Sequence, residues 1–296
     1  MMRVRSCVLV AVSFGLSPMA QATPTKKEVV PVEEAPTIAV DWRTIVGWGP
    51  VTGVTSLGAR YRHIYRRDHN PLWNGLYLQT GATVGTSTFT HSGSVHVEVQ
   101  PLAVLRVRLQ AETWRWLGKP SEIGTGLPFP TADSPSDPET LARRSDETIR
   151  THGRRGLLMT TLQGRVGSFA MQNMTRVSAW LLPKGDGYLY DSESDNLIAR
   201  GQWDQNIRNR LCLLWMAPSR LRLHRLMVGP IHEFVQSREA ARSRHRVGAM
   251  LVYMPVQRWG ALWEPTLMLD VGITAKDRYR QGETYFFGML KLSLSP

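Results

Sequence analysis

Apolar and polar side chains alternate along most of this chain, from about residue 51 to the last residue. The octet at 105–112 shows the alternation best, because its sequence is LRVRLQAE. Successive side chains of an extended strand point to opposite faces, so the octet has one apolar face and one that carries arginine, glutamine and glutamate. The pattern therefore predicts β-strands.

Turn-forming residues divide the alternating region into twelve predicted strands. These are residues 38–48, 51–66, 75–88, 92–100, 103–116, 155–166, 169–182, 203–216, 220–235, 243–255, 265–276 and 282–295. Tight turns at 100–102, 167–168 and 217–219 alternate with long connections at 117–154 and 183–202. An even strand count with short turns at one end and long loops at the other is typical of a membrane β-barrel.

A soluble sheet would bury the apolar face in a protein core, whereas a membrane barrel turns it toward lipid and encloses the polar face. The tryptophans favour the barrel, because rings collect where a membrane meets water. Those expected near the long-loop ends of strands are Trp114, Trp116, Trp180 and Trp203, and those near the opposite ends are Trp73, Trp215, Trp259 and Trp263. The alternative is that these rings cap the core of a soluble sandwich. We favour an all-β fold, a single antiparallel transmembrane β-barrel of about 12 strands.

The first residues predict export. Residues 1–22 combine a basic start, a short apolar stretch at 6–16 and the small-x-small sequence Ala20-Gln21-Ala22, which together are typical of a cleaved signal peptide. Residues 23–37 are rich in Pro, Lys and Glu and predict a flexible leader. The barrel is then expected over 38–296. Of the two cysteines, only Cys212 lies beyond the signal peptide, so no internal disulfide is expected.

The connection at 117–154 differs from the rest of the chain in its prolines and glycines. Within it, Asp137-Pro138-Glu139 resembles a helix N-cap followed by proline at the first helical position, and 140–149 could continue as one or two helical turns. A segment this long either extends into solvent as an external loop or folds into the barrel mouth. We favour the solvated external loop.

If apolar residues face lipid, the alternating charged residues face the interior, since a charge on the lipid face costs about 2–4 kcal/mol near the midplane. The predicted pore-lining residues are Arg60, Arg62, His96, Glu98, Arg106, Arg108, Glu112, Arg220, Arg222, Arg244, Arg246 and Asp270. The arginines could form a positive wall that concentrates anions. Alternatively, they could pair with Glu98, Glu112, Glu233 and Asp270 across a plugged interior, without conduction. Both hypotheses stay open at this point.

The formal net charge of +12 is compatible with nucleic acid, anionic lipid headgroups or anionic solutes as partners. Export argues against nucleic acid. The sequence contains no His-x-x-x-His or clustered Cys/His spacing for a metal and no Gly-x-Ser-x-Gly nucleophile motif. We therefore assign no catalytic, metal or cofactor-binding residues.

The signal peptide, the Pro/Glu leader, the alternating strands and the short turns together resemble Gram-negative outer-membrane β-barrel proteins as a class, with no specific family. The last strand, 285–294, is similar to the C-terminal signal of that class. The resemblance implies an outer-membrane location, contact with outer-membrane lipid, and the barrel-assembly machinery as a partner during biogenesis. The chain departs from the class by ending on Leu294-Ser295-Pro296 rather than on an aromatic residue.

Three functions follow from the sequence. The one we favour is a passive pore or binding vestibule for small anionic solutes, without a cofactor and without catalysis. The second is a lipid-modifying outer-membrane enzyme, although the His-x-Ser pair of the phospholipases and deacylases in the resembling class is missing here. The third is a non-conducting structural or surface-binding barrel.

Overall fold

A computed structural model describes residues 37–48, 52–66, 72–73, 75–119, 125–217, 225–255, 258–259 and 261–294. The predicted signal peptide, and the predicted leader apart from Thr37, lie outside the described residues. The β-strands are β1 (Ile38–Trp48), β2 (Thr52–Arg66), β3 (Leu76–Thr86), β4 (Thr90–Leu102), β5 (Leu105–Leu117), β6 (Pro128–Phe129), β7 (Arg150–Val166), β8 (Phe169–Leu181), β9 (Tyr188–Asp191), β10 (Asn196–Ala199), β11 (Trp203–Met216), β12 (Arg225–Ser237), β13 (Arg242–Met254), β14 (Arg258–Trp259), β15 (Leu262–Lys276) and β16 (Thr284–Leu294). The α-helix α1 is Pro138–Arg143, and a 3-10 turn covers Ser145–Glu147.

Twelve antiparallel strands close into one barrel, as the alternation predicts. Neighbours in sequence pair with each other around the wall, and β6, β9 and β10 form a separate small sheet. The wall closes because β1 pairs with β16, from Val40 opposite Leu294 to Trp48 opposite Phe286. Each barrel strand then has a partner on both sides, so the wall has no open edge.

The two faces of the wall differ as the alternation requires. On β5, the outward Leu109 is 60% exposed, whereas the inward Trp116 is fully buried. Exposed apolar residues recur on the outer face, among them Val84, Val95, Phe169 and Val271. An apolar outer band around a polar interior is the arrangement of a membrane β-barrel.

The connections differ strongly between the two ends of the barrel. We call the end at which β1 begins and β16 ends the terminus end, and the other the loop end. The turn at 167–168 lies at the terminus end, while residues 118–149 (loop A) and 182–202 (loop B) both lie at the loop end. Loop A is shorter than the predicted 117–154 because β7 already begins at Arg150.

Loops A and B fold together. In loop A, Asp137 caps α1 by accepting a hydrogen bond from the Thr140 amide at 2.9 Å, as the sequence predicts. The short strand β6 of loop A pairs with β9 of loop B. Among the residues that the structure describes, no helix is long and apolar enough to span a membrane.

Loop B packs against the inner wall at the loop end. Leu182, Leu189 and Ile198 form one apolar cluster with Trp114, Trp116 and Trp180, which point inward from β5 and β8. Loop A packs against loop B in a second apolar cluster, composed of Leu127, Phe129, Leu141, Tyr190, Leu197 and Ala240. Both loops therefore fold into the mouth because their apolar side chains find buried partners there.

The prediction of two tryptophan girdles is wrong for half of its members. Trp114, Trp116 and Trp180 are buried inside the barrel, where their ring centroids lie 5.9–6.3 Å apart. Trp263 is also buried, at 7% exposure. By contrast, Trp203 is 57% exposed, and Trp73, Trp215 and Trp259 are exposed as well. Position near a strand end does not reveal which face carries the ring.

The inward tryptophans should hold both loops in place. We expect Trp116→Ala to speed tryptic cleavage within loops A and B, because removing a fully buried indole costs about 3–5 kcal/mol of packing. Limited proteolysis of the folded barrel, followed by mass spectrometry of the fragments, measures this effect. Trp203→Ala is the matched control, because its ring is exposed at the same end. Equal cleavage rates for the two variants would contradict this anchoring role.

Candidate functional site in the barrel lumen

The structure places the predicted interior residues on inward-facing positions wherever it describes them. They lie on β2 (Arg60, Arg62), β4 (His96, Glu98), β5 (Arg106, Arg108, Glu112), β13 (Arg244, Arg246) and β15 (Asp270). Arg220 and Arg222 lie outside the described residues. The inward charged residues form networks. Whether an arginine is bound to a carboxylate or to a neutral group determines how much of its charge is compensated.

Near the terminus end, the carboxylate of Glu98 binds both a tyrosine hydroxyl and an arginine. Glu98 accepts a hydrogen bond from the Tyr77 hydroxyl at 2.6 Å and pairs with Arg108 at 2.7 Å. Two other guanidinium groups nearby are bound differently. Arg62 donates to the amide oxygen of Gln79 at 2.9 and 3.0 Å.

Arg106 likewise donates to an amide, the side-chain oxygen of Gln163, at 2.8 Å. A glutamine orients a guanidinium without neutralising it, because the amide carries no net charge. The terminus half of the lumen therefore holds positive charges whose nearest hydrogen-bond partners are neutral.

The wall formed by β11, β12, β13 and β15 is more completely paired. Arg208 pairs with Glu233 at 2.5 Å, and Arg210 pairs with Asp270 at 2.5 Å. The Tyr285 hydroxyl donates to the second oxygen of Asp270 at 3.0 Å. These pairs match the interpretation of interior salt bridges for Glu233 and Asp270.

The tip of loop B brings further carboxylates into the lumen. We call residues 191–195 (DSESD) the acidic turn. Asp191 shapes it by accepting hydrogen bonds from the amide of Ser194 at 3.0 Å and from its hydroxyl at 2.7 Å. Burial, reinforced by the nearby charge of Glu193, raises the pKa of Asp191.

Glu193 of the acidic turn contacts two wall arginines, Arg155 at 3.0 Å and Arg176 at 3.7 Å. Arg155 also pairs with Glu112, and its guanidinium lies 4.6 Å from the ring centroid of Trp180. The Glu193 side chain is 33% exposed, so this carboxylate still faces the lumen.

Asp195, at the end of the acidic turn, is the most strongly compensated carboxylate. It contacts Arg244, Arg246 at 2.7 Å and Arg280 at 3.4 Å, and it accepts a hydrogen bond from the Tyr190 hydroxyl. Burial alone would raise the pKa of Asp195, but the three guanidinium groups outweigh it and hold that pKa well below its usual range.

One arc of the lumen has a small-residue lining. The inward positions of β2, β3 and β4 toward the loop end include Ser56, Gly58, Gly81, Thr83, Gly85, Ser92 and Ser94. At Gly81 a Cβ would lie only 2.6 Å from the His96 ring, so glycine lets that ring lie across the wall. On the facing side, Glu193 interacts electrostatically with Arg43 of β1. This arc is therefore the candidate lining of a path past loop B.

Several of these residues escaped prediction from the sequence. Arg155 and Arg176 are interior ligands of Glu193, and Arg208 and Arg210 pair with wall carboxylates. The alternation of polar and apolar residues is lost where the outward neighbour of an inward arginine is itself polar, as at Asn209 between Arg208 and Arg210. The partners in loop B give no pattern signal, because their position depends on how the loop folds.

No family model matches this sequence, and no curated protein matches it. Solved structures with a similar fold include a KdgM porin in complex with disordered oligogalacturonate, with a TM-score of 0.36, 8% identity, and coverage of 87% of this chain and 99% of that chain. The beta domain of the Bordetella autotransporter BrkA has a TM-score of 0.40 and 11% identity, with 88% and 99% covered. LpxR from Salmonella typhimurium has a TM-score of 0.36 and 11% identity, with 86% and 99% covered. The similar structures include Gram-negative outer-membrane β-barrels, the class that the sequence resembles, and the likeness is one of architecture alone.

Neutralising Asp195 should release loop B from the wall. Asp195→Asn removes the carboxylate that Arg244, Arg246 and Arg280 share, and breaking a buried pair in this way costs about 3–5 kcal/mol. We expect tryptophan emission to shift to longer wavelength as the buried indoles meet water. Steady-state fluorescence of the folded barrel measures the shift.

Asp133→Asn is the control, because Asp133 is 75% exposed and pairs only with the exposed Arg278. The same readout gives the pH dependence in the wild type. A carboxyl group with a lowered folded-state pKa stabilises above its unfolded pKa, so the contribution of Asp195 should persist down to about pH 4 and disappear below it. Identical spectra for the two variants would show that Asp195 does not hold the loop. Release of loop B in the wild type at neutral pH would show the same.

Proposed function

We propose that this chain is an outer-membrane β-barrel that binds small anionic solutes in its lumen and conducts them along the arc of β1 to β4. Export by the signal peptide at 1–22 belongs to the same proposal. The observation that carries it is the pairing of Arg62 with Gln79 and of Arg106 with Gln163. These guanidinium groups are oriented by amides that leave their charge available.

An arginine held in this way suits an incoming anion. The planar guanidinium presents paired N–H donors that match a carboxylate or phosphate, and charge-assisted bonds are stronger than those to an amide. An anionic solute can therefore replace Gln79 or Gln163 as the partner with a gain in electrostatic energy. Arg43 of β1 adds a third such charge, since its Nε bonds to the Ser56 hydroxyl at 3.4 Å.

The small side chains of β2 to β4 support a path past the inserted loops. Serine, threonine and glycine occupy most of the inward positions there, whereas the tryptophan cluster lies on the adjoining part of the wall, on β5 and β8. Hydroxyl groups can also solvate a partly dehydrated anion. The path is expected to be narrow, because loop B occupies the middle of the mouth.

Glu193 gives the path an internal counter-ion. Its carboxylate contacts Arg155 and Arg176 and faces Arg43, so an anion that reaches this level competes with Glu193 for the same cations. The carboxylate thereby lowers the affinity of the site and keeps the anion from being trapped, as conduction requires weak binding.

The second candidate is a non-conducting barrel. The buried contacts of Asp195 with Arg244, Arg246 and Arg280 favour it, because they fix loop B across the mouth. Planar-bilayer recordings separate the two candidates, since the non-conducting barrel gives no channels.

Replacing both amide-bound arginines should weaken anion selectivity. We expect Arg62→Gln with Arg106→Gln to lower the anion-to-cation permeability ratio at least about threefold, because the potential of the lumen becomes less positive. The reversal potential across a salt gradient measures this ratio. Arg115→Gln with Arg154→Gln is the control, as it removes the same two charges from the outer faces of β5 and β7. An unchanged ratio in the double variant, or cation preference in the wild type, would argue against the proposed pore.

Removing the internal counter-ion should have the opposite effect. We expect Glu193→Gln to raise the anion-to-cation permeability ratio and to lengthen the block caused by an added dicarboxylate, because Arg155 and Arg176 lose a competing carboxylate. Single-channel recording gives both values. Glu147→Gln is the control, since Glu147 lies on the surface of loop A and pairs only with Arg144. Equal behaviour of the two variants would exclude Glu193 from the conducting path.

A further inference from the structure

The outer wall carries a depression where β4, β5, β7, β8 and β11 lie side by side. Its volume is about 570 Å³, which is within the range of small-molecule sites, about 300–1,000 Å³. The outward-facing residues that line it include Val95, Leu109, Ala111, Gly156 and Ala179. The depression faces away from the lumen, so it is separate from the site described above.

Strand register produces this depression. Ala111 lies directly opposite Gly156, and Gly156 lies directly opposite Ala179, so a row of small residues crosses three strands. The next row toward the terminus end consists of Leu109, Leu158 and Val177, again paired directly. The larger side chains form a raised apolar border beside a floor of hydrogen and methyl groups.

Positive charge borders the depression on its loop-end side. Arg154 lies two residues before Gly156 on the same face of β7, at a distance of about 7 Å along the strand. Arg115 points outward from β5, on the same face as Ala111. It lies opposite His152, two residues nearer the loop end than Arg154. Arg150 projects from the same face of β7 at its loop end.

Within the described part of the chain, no carboxylate lies within 4.0 Å of Arg115, Arg150 or Arg154, in contrast to the lumenal guanidinium groups that pair with Glu98, Glu233 and Asp270. Exposed arginines at the edge of an apolar band stand where the headgroups of a membrane lie. These side chains therefore present uncompensated positive charge at headgroup level, directly above an apolar depression.

We propose that this surface is a binding site for one phosphorylated membrane lipid. An acyl chain lies in the depression along Ala111, Gly156 and Ala179, and the phosphate is held by Arg115 and Arg154. Arginine binds phosphate through paired N–H donors, and the apolar floor allows close contact with methylene groups.

The charge of this surface argues against a second copy of the chain as the occupant. A symmetric pair would place the same patch on both partners and bring their unpaired arginines together. An anionic lipid instead complements both parts of the surface, the apolar floor and the positive border.

Native mass spectrometry of the purified barrel, released from detergent, tests the proposal with two probes. Dimyristoyl phosphatidylglycerol is anionic, and dimyristoyl phosphatidylcholine has the same acyl chains with no net charge. We expect the wild type to retain the anionic lipid about tenfold better, and Arg115→Gln with Arg154→Gln to abolish that preference. Gly156→Leu should reduce retention of both lipids, because its side chain fills the floor, where a Cβ meets nothing within 4 Å.

Two variants serve as matched controls. Arg143→Gln with Arg165→Gln removes two exposed charges that lie away from the depression, and Ala249→Leu enlarges an outward residue on β13, also away from it. Circular dichroism confirms that each variant is folded. Equal retention of the two lipids by the wild type, or test variants that match the controls, would overturn the proposal. A stable dimer that Gly156→Leu dissociates would also overturn it, since the occupant would then be a second copy.

Discussion

Closure of the sheet is the constraint on which the rest of the molecule depends. The pairing of β1 with β16, and of β13 with β15, gives every barrel strand two neighbours. In a membrane an unpaired backbone group costs several kcal/mol, so a sheet is stable there only when it has no edge. Closure also separates the two faces completely. The apolar side chains must then meet lipid, and the charged ones must share an enclosed interior.

In the enclosed interior, charge compensation depends on loop insertion, because loop B supplies a carboxylate that the wall arginines bind. Wall carboxylates such as Glu98, Glu233 and Asp270 pair with neighbouring arginines, but Arg244, Arg246 and Arg280 meet their counter-charge in Asp195 of loop B. A buried ion pair is strongly destabilised when one partner leaves. Loop B is therefore held by electrostatics at its tip and by the tryptophan cluster at its base.

The arginines of this barrel differ in their surroundings, and we propose a different role for each group. Those beside carboxylates, such as Arg210, stabilise the wall or the inserted loop. Arg62 and Arg106 are bound by glutamine amides and keep a charge that a solute can use. Arg115 and Arg154 lie on the outer face without a carboxylate partner among the described residues, where a lipid phosphate can reach them. The same residue type can thus serve structure, selectivity and lipid contact in one small barrel.

The sequence by itself determined the strands, their faces and the N-cap of α1. Alternation is a local property, so Arg106 and Arg108 could be placed inside from their immediate neighbours, and Asp137 could be assigned as a cap from the two residues after it. Only the tertiary structure decided where loops A and B lie, and that Trp116 packs against them inside the barrel. Arg242, for example, binds Ser136 across more than a hundred residues of chain at 2.8 Å. Such contacts depend on which strands become neighbours when the barrel closes, and no local pattern records that choice.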